Sequence, residues 1–469
     1  MVAHDATLDA VPAAALKAFG DRFGGRLFEP SGAGYDEART IWNGAIDRRP
    51  GLIARCADAS DVVAAVRFAL EHDLRTSVRS GGHGVAGLSL CDDGLAIDLS
   101  SMKGVRIHPD LAEAHVEAGV TLGELDRTAQ AFGLAVPAGI VTHTGVAGLT
   151  LGGGIGWLTR KHGLTVDNLV EAEVVTADAE LVRASDDENA DLLWGLKGGG
   201  GNFGVVTAFR FRAHPIGPTV VAGPILFPLE RTAEVMHAYR DWALEAPDEL
   251  TTILNVRRAA ASWVPERVQG VPACIVIPCW SGPIEEGLTF VEPIKRLGPI
   301  LDLCRPRPWL EHQGMFDGSV VPGWHYYWKS VELDALSPDA VDAIVDRTEA
   351  ITSARSYTIA FQLGGAMARV GEPDTGYGRR AAGFDVNVNA VWLPEERGDG
   401  PRHVGWVRSL FGDLEPMARG VYVNFLGEEG QDRVRSAYGP ATYDRLAELK
   451  ARTDPTNLFR FNQNVPPAS

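Results

Sequence analysis

Cysteine is scarce in this chain of 469 residues, which contains only five. The positions are scattered and odd in number, which is not the pattern of a disulfide framework. Cys274 and Cys279 bracket a strand-like stretch, so packing explains them better than metal binding, and we expect no metal site. We therefore expect reduced thiols and a cytoplasmic location. The five are Cys56, Cys91, Cys274, Cys279 and Cys304.

Long hydrophobic runs and an excess of positive charge are also missing. No apolar run approaches the roughly 20 residues that a membrane span needs, and the first residues show neither a basic nor an apolar signal region. We therefore expect neither a membrane partner nor a secretory signal. The 44 Lys and Arg residues are outnumbered by 61 Asp and Glu, giving a net charge of −17. This balance disfavours a nucleic-acid partner, which would need a basic patch.

Glycine, in contrast, is abundant, with 53 residues. The stretch Arg79–Leu90 sets His83 among Gly81, Gly82 and Gly84. Glycines let the backbone take positive φ and approach a bulky anion, and consecutive N–H groups in such a turn suit a diphosphate. On these residues alone, a glycine turn with a chance histidine is an equally good interpretation.

A second glycine-rich block, Pro137–Trp157, is followed by Arg160–Asn168 and Gly198–Gly204, and the chain closes on Phe459–Pro466. Together with Arg79–Leu90, these stretches resemble the vanillyl-alcohol oxidase superfamily, with its PCMH-type FAD-binding domain. The most similar subgroup is the berberine-bridge-enzyme-like FAD-linked oxidases. The resemblance covers nearly the whole chain and is weakest between residues 215 and 324.

The order of helix, strand, glycine loop and strand predicts an α+β fold, because it lacks the strand–GxGxxG–helix order of a Rossmann domain. Beyond Gly217, helices at 229–244, 284–297 and 338–355 alternate with aromatic-rich strands, which favours an antiparallel sheet with helices on one face. The resemblance implies a two-lobed PCMH-type FAD-binding domain and a substrate domain built on that sheet. We expect domains at 1–214 and 215–429, with 430–469 returning to the first.

The resemblance implies FAD as the cofactor, bonded covalently to His83. A neutral imidazole is a competent nucleophile, and the neighbouring glycines let its ring edge approach the flavin. Many relatives have a second bond from a cysteine, but here Val141 occupies that position and no cysteine lies between Cys91 and Cys274. We therefore expect a single attachment.

The remaining cofactor residues follow from the same motifs. An asparagine amide can both donate and accept at the flavin's pyrimidine edge. A turn residue before Pro466 is the less favoured alternative for Asn464. The residues expected at the diphosphate are Arg79, Ser80, Gly81, Gly82 and Gly84; those expected along the ribityl chain and ring are Gly139, Thr144, Gly145, Gly148, Gly152 and Gly153; and those expected at the pyrimidine edge are Asn462 and Asn464.

Oxidation by a flavin needs a base that takes a proton while hydride leaves carbon. Tyr422 lies in a stretch from which relatives supply an active-site tyrosine, but their second tyrosine is Phe425 here. His162 is the alternative base, because histidine titrates near 6.5 and tyrosine near 10 when unperturbed. Asn387 matches a position where plant relatives keep a polar amide.

The aromatic cluster 324–329 is predicted to lie on a strand, so alternate members should face the substrate pocket. Aromatic residues at this period more often belong to an ordinary core than to a substrate platform, and His325 and Tyr327 are the candidates for the pocket.

These features predict an enzyme, an FAD-dependent oxidase that removes hydride from an alcohol, sugar or amine carbon of a small molecule and passes electrons to molecular oxygen. Two alternatives remain open from the sequence. One is a dehydrogenase with another electron acceptor, and the other is a flavin-loaded binding protein without turnover. The sequence carries no signal of oligomeric state.

Overall fold

Three sheets carry most of the strands in the computed structural model, which describes residues 4–259 and 264–468. They have four, five and nine strands, and a two-stranded ribbon accompanies them. The strands in chain order are β1 (Arg26–Phe28), β2 (Leu52–Arg55), β3 (Thr76–Arg79), β4 (Leu95–Asp98), β5 (Val105–His108), β6 (Glu113–Glu117), β7 (Leu134–Ala135), β8 (Leu169–Val175), β9 (Leu181–Ser185), β10 (Val205–Arg212), β11 (His214–Pro215), β12 (Thr219–Ala222), β13 (Ile225–Pro228), β14 (Leu250–Arg258), β15 (Pro272–Trp280), β16 (Leu301–Asp302), β17 (Arg305–Pro308), β18 (His325–Leu333), β19 (Tyr357–Leu363) and β20 (Gly383–Trp392).

Helices pack on these sheets, and several are single turns. None of the helices in the described part of the chain is both long and apolar enough to cross a bilayer. The α-helices in chain order are α1 (Ala13–Gly20), α2 (Tyr35–Ala38), α3 (Ala59–Glu71), α4 (Leu122–Gln130), α5 (Val146–Leu151), α6 (Thr159–His162), α7 (Ala190–Leu196), α8 (Thr232–Leu244), α9 (Ile284–Lys295), α10 (Trp309–Gln313), α11 (Pro338–Glu349), α12 (Ala366–Arg369), α13 (Gly400–Leu414), α14 (Gln431–Tyr438) and α15 (Pro440–Thr453).

The four-stranded sheet delivers the first glycine loop. Its order is β1–β2–β4–β3, and β4 runs parallel to both β2 and β3. Helix α3 connects β2 to β3, as parallel strands require. Its cap is Asp58, whose carboxylate accepts the amides of Ser60 and Asp61. The glycine loop begins directly after Arg79, at the end of β3.

The five-stranded sheet is antiparallel, in the order β5–β6–β10–β8–β9. Its buried residues join those of the first sheet in one hydrophobic core, to which α15 contributes Leu446 and Leu449. The C-terminal segment therefore packs on the lobe that carries the glycine loops.

The nine-stranded sheet has the central order β16–β13–β15–β14–β19–β20–β18, and all of its pairings are antiparallel. Side chains of α8, α9, α11 and α13 share a hydrophobic core with one of its faces. The predicted antiparallel sheet with helices on one face is confirmed, and so is the α+β class. The opposite face is left to contact the glycine loops.

Helix α11 is shorter than the predicted helix at 338–355. It ends at Glu349, because Ser353 turns its hydroxyl to the Val391 carbonyl at 2.6 Å and fixes a loop against β20. Helix α8 likewise begins three residues later than predicted, after a short 3₁₀ turn at Leu229–Arg231.

Candidate functional site

A central cavity lies between the glycine loops and the free face of the nine-stranded sheet. Backbone of the loops forms one wall, and side chains of β14, β19 and β20 form the other. Arg79, Gly153, His162 and Asn464 are absent from the described lining residues. The predicted site residues that line it are Ser80, Gly81, Gly82, His83, Gly84, Gly139, Thr144, Gly145, Gly148, Gly152, Asn387, Tyr422 and Asn462.

The two glycine loops meet back to back at Gly81 and Gly145. A Cβ on either residue would lie 2.5 Å from the backbone nitrogen of the other, so neither position accepts a side chain. Gly84 and Gly148 differ, because no described atom lies within 4 Å of their Cβ positions and both line the cavity. The loops thus leave open space beside exposed backbone, which fits the diphosphate and ribityl chain of FAD.

His83 is held in the cavity wall by an aromatic stack. Its ring lies on Trp42 with centroids 4.3 Å apart, and Trp42 stacks on Tyr326 of β18 at 3.8 Å. Burial, with a smaller contribution from His143, lowers the pKa of His83 to about 3. The imidazole is therefore neutral at physiological pH, and its Nε2 has no partner among the described residues.

Arg79 and Ser80 leave β3 in different directions. Ser80 lines the cavity, and its Oγ donates a 2.5 Å hydrogen bond to the Ala118 carbonyl. Arg79 instead donates to the Ala38 carbonyl at the end of α2, and burial lowers its pKa. Arg79 therefore connects the glycine loop to the end of α2, on the side away from the cavity, and is not among the described lining residues.

The second glycine block forms the adjoining wall around α5. Gly139 packs on Leu149, where a Cβ would come within 2.5 Å of a methyl group. Gly152 faces Asn424, but Gly153, at φ +124°, packs against Tyr377 outside the lining residues. Of these two glycines, Gly152 lines the cavity beside Asn424, and Gly153 packs against Tyr377.

The C-terminal segment reaches the cavity through Asn462. Its amide donates to the carbonyls of Gly201 and Phe459, both at 3.0 Å, which leaves Oδ1 buried with no partner among the described residues. Asn464 also has an unpartnered Oδ1, yet it lies outside the lining residues. The neighbouring Gln463 does line the cavity.

A buried ion pair fixes this segment. Lys450 of α15 and Asp454 are both fully buried, with Nζ and Oδ2 2.7 Å apart. Lys450 also donates to the carbonyls of Asn202 and Phe459, while Asp454 accepts the amides of Leu458 and Phe459. Each charge is therefore well hydrogen-bonded, as a buried pair requires.

Tyr422 brings a phenol to the junction of the loops and the sheet. Its Oη accepts hydrogen bonds from the Gly154 amide at 2.8 Å and from Asn424 Nδ2 at 2.7 Å. Burial raises the pKa of Tyr422 to about 12, an effect that these donors only partly offset. Phe425 packs edge-on against the ring, with centroids 5.0 Å apart.

Cross-strand register arranges the sheet wall in rows. Each row holds one residue from each of β14, β19, β20 and β18, all on one face because strand side chains alternate. From one end, the rows are Arg257, Tyr357, Asn389 and Trp328; Asn255, Ile359, Asn387 and Ser330; and Ile253, Phe361, Asp385 and Glu332.

Polar groups on the first two rows are poorly satisfied. The Oδ1 atoms of Asn255 and Asn387 are buried without partners among the described residues, and Asn389 donates to the Asn387 carbonyl at 3.0 Å. Since buried polar groups are normally hydrogen-bonded, these acceptors point to a ligand in the cavity. The described lining contains no Asp, Glu or Lys, and its one arginine is Arg257.

The third row places two acids directly opposite each other. Asp385 and Glu332 are register partners on β20 and β18, and both are buried. Burial raises the pKa of Glu332 to about 7 and that of Asp385 well above its usual range, with Glu332 adding to the latter shift. Asp385 accepts the Ser330 hydroxyl at 2.8 Å and the Tyr422 amide, so it anchors the backbone of the tyrosine.

His162 lies apart from the cavity, at the end of α6. Its ring stacks on His214 with centroids 3.9 Å apart. Burial, and secondarily His214, lowers the pKa of His162 to about 3. The structure therefore does not bring this alternative base to the other predicted residues.

The prediction that His325 and Tyr327 face the pocket is wrong. The strand register turns Tyr326 and Trp328 towards the glycine loops, so the odd-numbered residues face the helices. His325 packs edge-on against Trp392, and the Tyr327 hydroxyl accepts a hydrogen bond from Arg408 of α13 at 3.3 Å.

Several lining residues were missed at the sequence level, including Arg257, Asn255, Asn389, Asn424 and Gln463. The alternation of Ile253, Asn255 and Arg257 on one strand was a usable signal, because it places two polar residues on a single face. Asn389 carries the same signal relative to Asn387. No local pattern marks Asn424, which is recognised only through its contact with Tyr422.

Two family models match parts of this chain. A family model described as "FAD binding domain" matches residues 50–185, and one described as "Berberine and berberine like" matches residues 421–466. An uncharacterized FAD-linked oxidoreductase of Bacillus subtilis is 33% identical over 94% of this chain and 97% of its own length.

Two solved structures are similar throughout. The 6-hydroxy-D-nicotine oxidase of Arthrobacter nicotinovorans has a TM-score of 0.86 at 29% identity, covering 95% of this chain and 98% of that one. The xylooligosaccharide oxidase of Myceliophthora thermophila, solved with xylobiose, has a TM-score of 0.84 at 26% identity, covering 97% and 100%.

Proposed function

Because this chain belongs to the berberine-bridge-enzyme-like family of FAD-linked oxidoreductases, we propose that it is an oxidase acting on an alcohol, sugar or amine carbon of a small molecule. Its relatives named above include oxidases of a hydroxynicotine and of xylooligosaccharides, which span these substrate types. Bound FAD would supply the hydride acceptor and pass the electrons on to oxygen, giving hydrogen peroxide.

The central cavity is the observation that carries this proposal. One wall is exposed glycine backbone with room for a cofactor, and the opposite wall is a polar sheet face with unpartnered amide oxygens. A phenol, Tyr422, lies where the walls meet. A protein that only stored flavin would not require polar acceptors facing the cofactor.

Tyr422 and Asn387 are the residues to which we assign chemistry. Tyr422, as its phenolate, would take the proton from the substrate's O–H or N–H group, and the two N–H donors to Oη would stabilise the phenolate before that transfer. Asn387 would accept a hydrogen bond from the substrate through its free Oδ1 and so orient it. His162, buried in a stack with His214, has no part in this assignment.

We further propose one covalent link to the cofactor, at His83. A neutral ring, a free ring nitrogen and a rigid stack on Trp42 support it. Val141 lines the cavity where relatives carry a second, cysteine link, and all five thiols are buried at other positions. Residues 1–214 with 430–469 would hold FAD, and 215–429 would select the substrate.

We also propose that the protein works in the cytoplasm, because its five cysteines are all unpaired. Subcellular fractionation of the native host tests this.

An anaerobic substrate screen tests the proposed function. Purified holoprotein is mixed with panels of alcohols, sugars and amines, and loss of the oxidised-flavin absorbance reports reduction. Admission of air should then restore the absorbance and yield peroxide. Reduction without fast reoxidation would indicate a dehydrogenase, and no reduction by any substrate would indicate a binding protein.

A further inference from the structure

Arg257 is the permanently charged side chain of the described cavity lining. It is 7% exposed, and burial lowers its pKa. Its Nε donates to the Arg258 carbonyl at 3.2 Å, and its guanidinium carbon lies 5.0 Å from the centre of the Tyr357 ring. The ring thus holds the planar group in one orientation.

Neither Nη atom of Arg257 has a hydrogen-bond partner among the described residues, and no described carboxylate pairs with it. Residues 260–263, which follow on the chain, are Ala, Ala, Ser and Trp, and so offer no carboxylate either. A buried guanidinium without a counter-charge is costly. An anionic ligand in the cavity would offset that cost.

We propose that Arg257 binds a carboxylate on the substrate, so that this enzyme oxidises a hydroxylated or aminated carboxylic acid. This rests on the proposed function. The two Nη groups, which have no partner among the described residues, form a fork that matches a carboxylate in two parallel hydrogen bonds. The free amide oxygens of Asn255 and Asn387, one row further along, accept from hydroxyl or amino groups of the same molecule.

The register also sets where the carboxylate lies. Arg257 belongs to the first row of the sheet, while the Tyr422 amide binds Asp385 in the third. Rows are two residues apart, so the first and third rows are separated by about 13 Å along the strands. The anion-binding end of the cavity therefore lies at the first row of the sheet, apart from Asp385 in the third.

Matched probe pairs test this on the holoprotein. The first pair is 4-(hydroxymethyl)benzoate and 4-(hydroxymethyl)benzamide, and the second is glucuronate and glucose. Dissociation constants are measured from flavin difference spectra and from thermal shift. We expect at least one carboxylate to bind roughly 10-fold or more tightly than its neutral partner, the scale of a charge-assisted hydrogen bond.

Arg257→Gln should abolish that preference. Arg258→Gln is the matched control, because Arg258 lies one residue along the strand, faces away from the cavity and donates to the Gly270 carbonyl. The control should bind both members of each pair as the wild type does.

Equal binding of each carboxylate and its neutral partner to the wild type would overturn the proposal, even if Arg257→Gln did not fold. So would a preference that survives Arg257→Gln. Loss of flavin, or a shifted flavin spectrum, in unliganded Arg257→Gln would mean that Arg257 contacts the cofactor instead. Binding does not require turnover, so a failed oxidase assay leaves these outcomes readable.

Discussion

The side-chain amide of Asn424 donates a 2.7 Å hydrogen bond to the phenol oxygen of Tyr422, two residues earlier in the chain. Asn424 itself is fixed by a second bond from Nδ2 to the Leu149 carbonyl at 2.9 Å. The Gly154 amide also donates to Oη. Both neighbours of Oη are therefore donors, and neither of them can accept a hydrogen bond from the phenol's own O–H. This geometry suits a group that exchanges a proton with a ligand in the cavity.

Tyr422→Phe should slow flavin reduction roughly 100-fold or more, the usual scale for losing a general base. Stopped-flow reduction by a good substrate, under anaerobic conditions, measures it. His162→Gln is the control, and we expect it to reduce at nearly the wild-type rate because His162 lies outside the cavity lining. A wild-type rate for Tyr422→Phe would remove the tyrosine from the mechanism.

The pH dependence of reduction tests the same assignment differently. Burial raises the pKa of Tyr422 to about 12, so the reactive phenolate fraction grows as pH rises and does not saturate near neutrality. We expect the reduction rate to rise through pH 7–10, by up to about tenfold per unit. Tyr422→Phe should flatten this slope, whereas a plateau beginning at pH 6–7 would indicate a different base.

His83→Ala should abolish covalent flavin retention. Acid-precipitated wild-type protein should stay yellow and exceed its sequence mass by one FAD, while the variant should release its flavin. His143→Ala is the matched control, since that ring lies 5.1 Å from His83. Quantitative release of flavin from the denatured wild type would contradict the covalent link.

A proteolytic digest should yield a single flavinylated peptide, the one containing His83. Val141 lines the same cavity, and we propose that it stands where relatives have the second, cysteine link, so Val141→Cys is the variant that offers a thiol there. Peptide mass spectrometry distinguishes the outcomes. A flavin peptide from residues 139–161 of the wild type would show that single attachment is incorrect.

The glycine-rich loops and the antiparallel sheet could be read from the sequence because they depend on local signals. Glycine at the Gly81–Gly145 contact is required by backbone proximity, and the strand and helix periods are short-range. The side of the sheet on which His325 and Tyr327 lie could not be predicted from the sequence. Aromatic residues occupy every position of this strand segment, so either set of alternate residues could face the cavity. Only the pairing of β18 with β20 decides it.

The burial of Arg257 could not be predicted from the sequence either. Its sequence neighbours, Val256 and Arg258, give no sign that one arginine is buried and the other is not. Burial depends on the sheet face, and the meaning of that burial depends on the lack of an acid among residues distant in sequence. Such an absence is visible only when the described cavity lining is assembled.

The opposed acids of the third row, Asp385 and Glu332, should make the stability of the fold depend on pH. The pKa of Glu332 is raised from 4.5 to about 7 by burial. The folded protein therefore holds a proton that the unfolded chain has lost between these pH values. The stabilisation is complete below about pH 4.5 and is lost as pH rises through 7, a difference of about 3 kcal/mol at most.

Glu332→Gln keeps the shape and removes this titration. Its thermal midpoint should exceed that of the wild type at pH 8 and match it near pH 5, as followed by scanning fluorimetry at both values. Glu286→Gln, at an exposed position of α9, should leave the thermal midpoint unchanged at both pH values.

If Glu332→Gln were equally destabilised at both pH values, the Glu332 carboxylate would be acting as an ionised partner of Arg379, which opposes the rise in its pKa. Asp385 would then be the acid that holds the proton beneath Tyr422, because two facing carboxylates cannot both remain charged in a buried row.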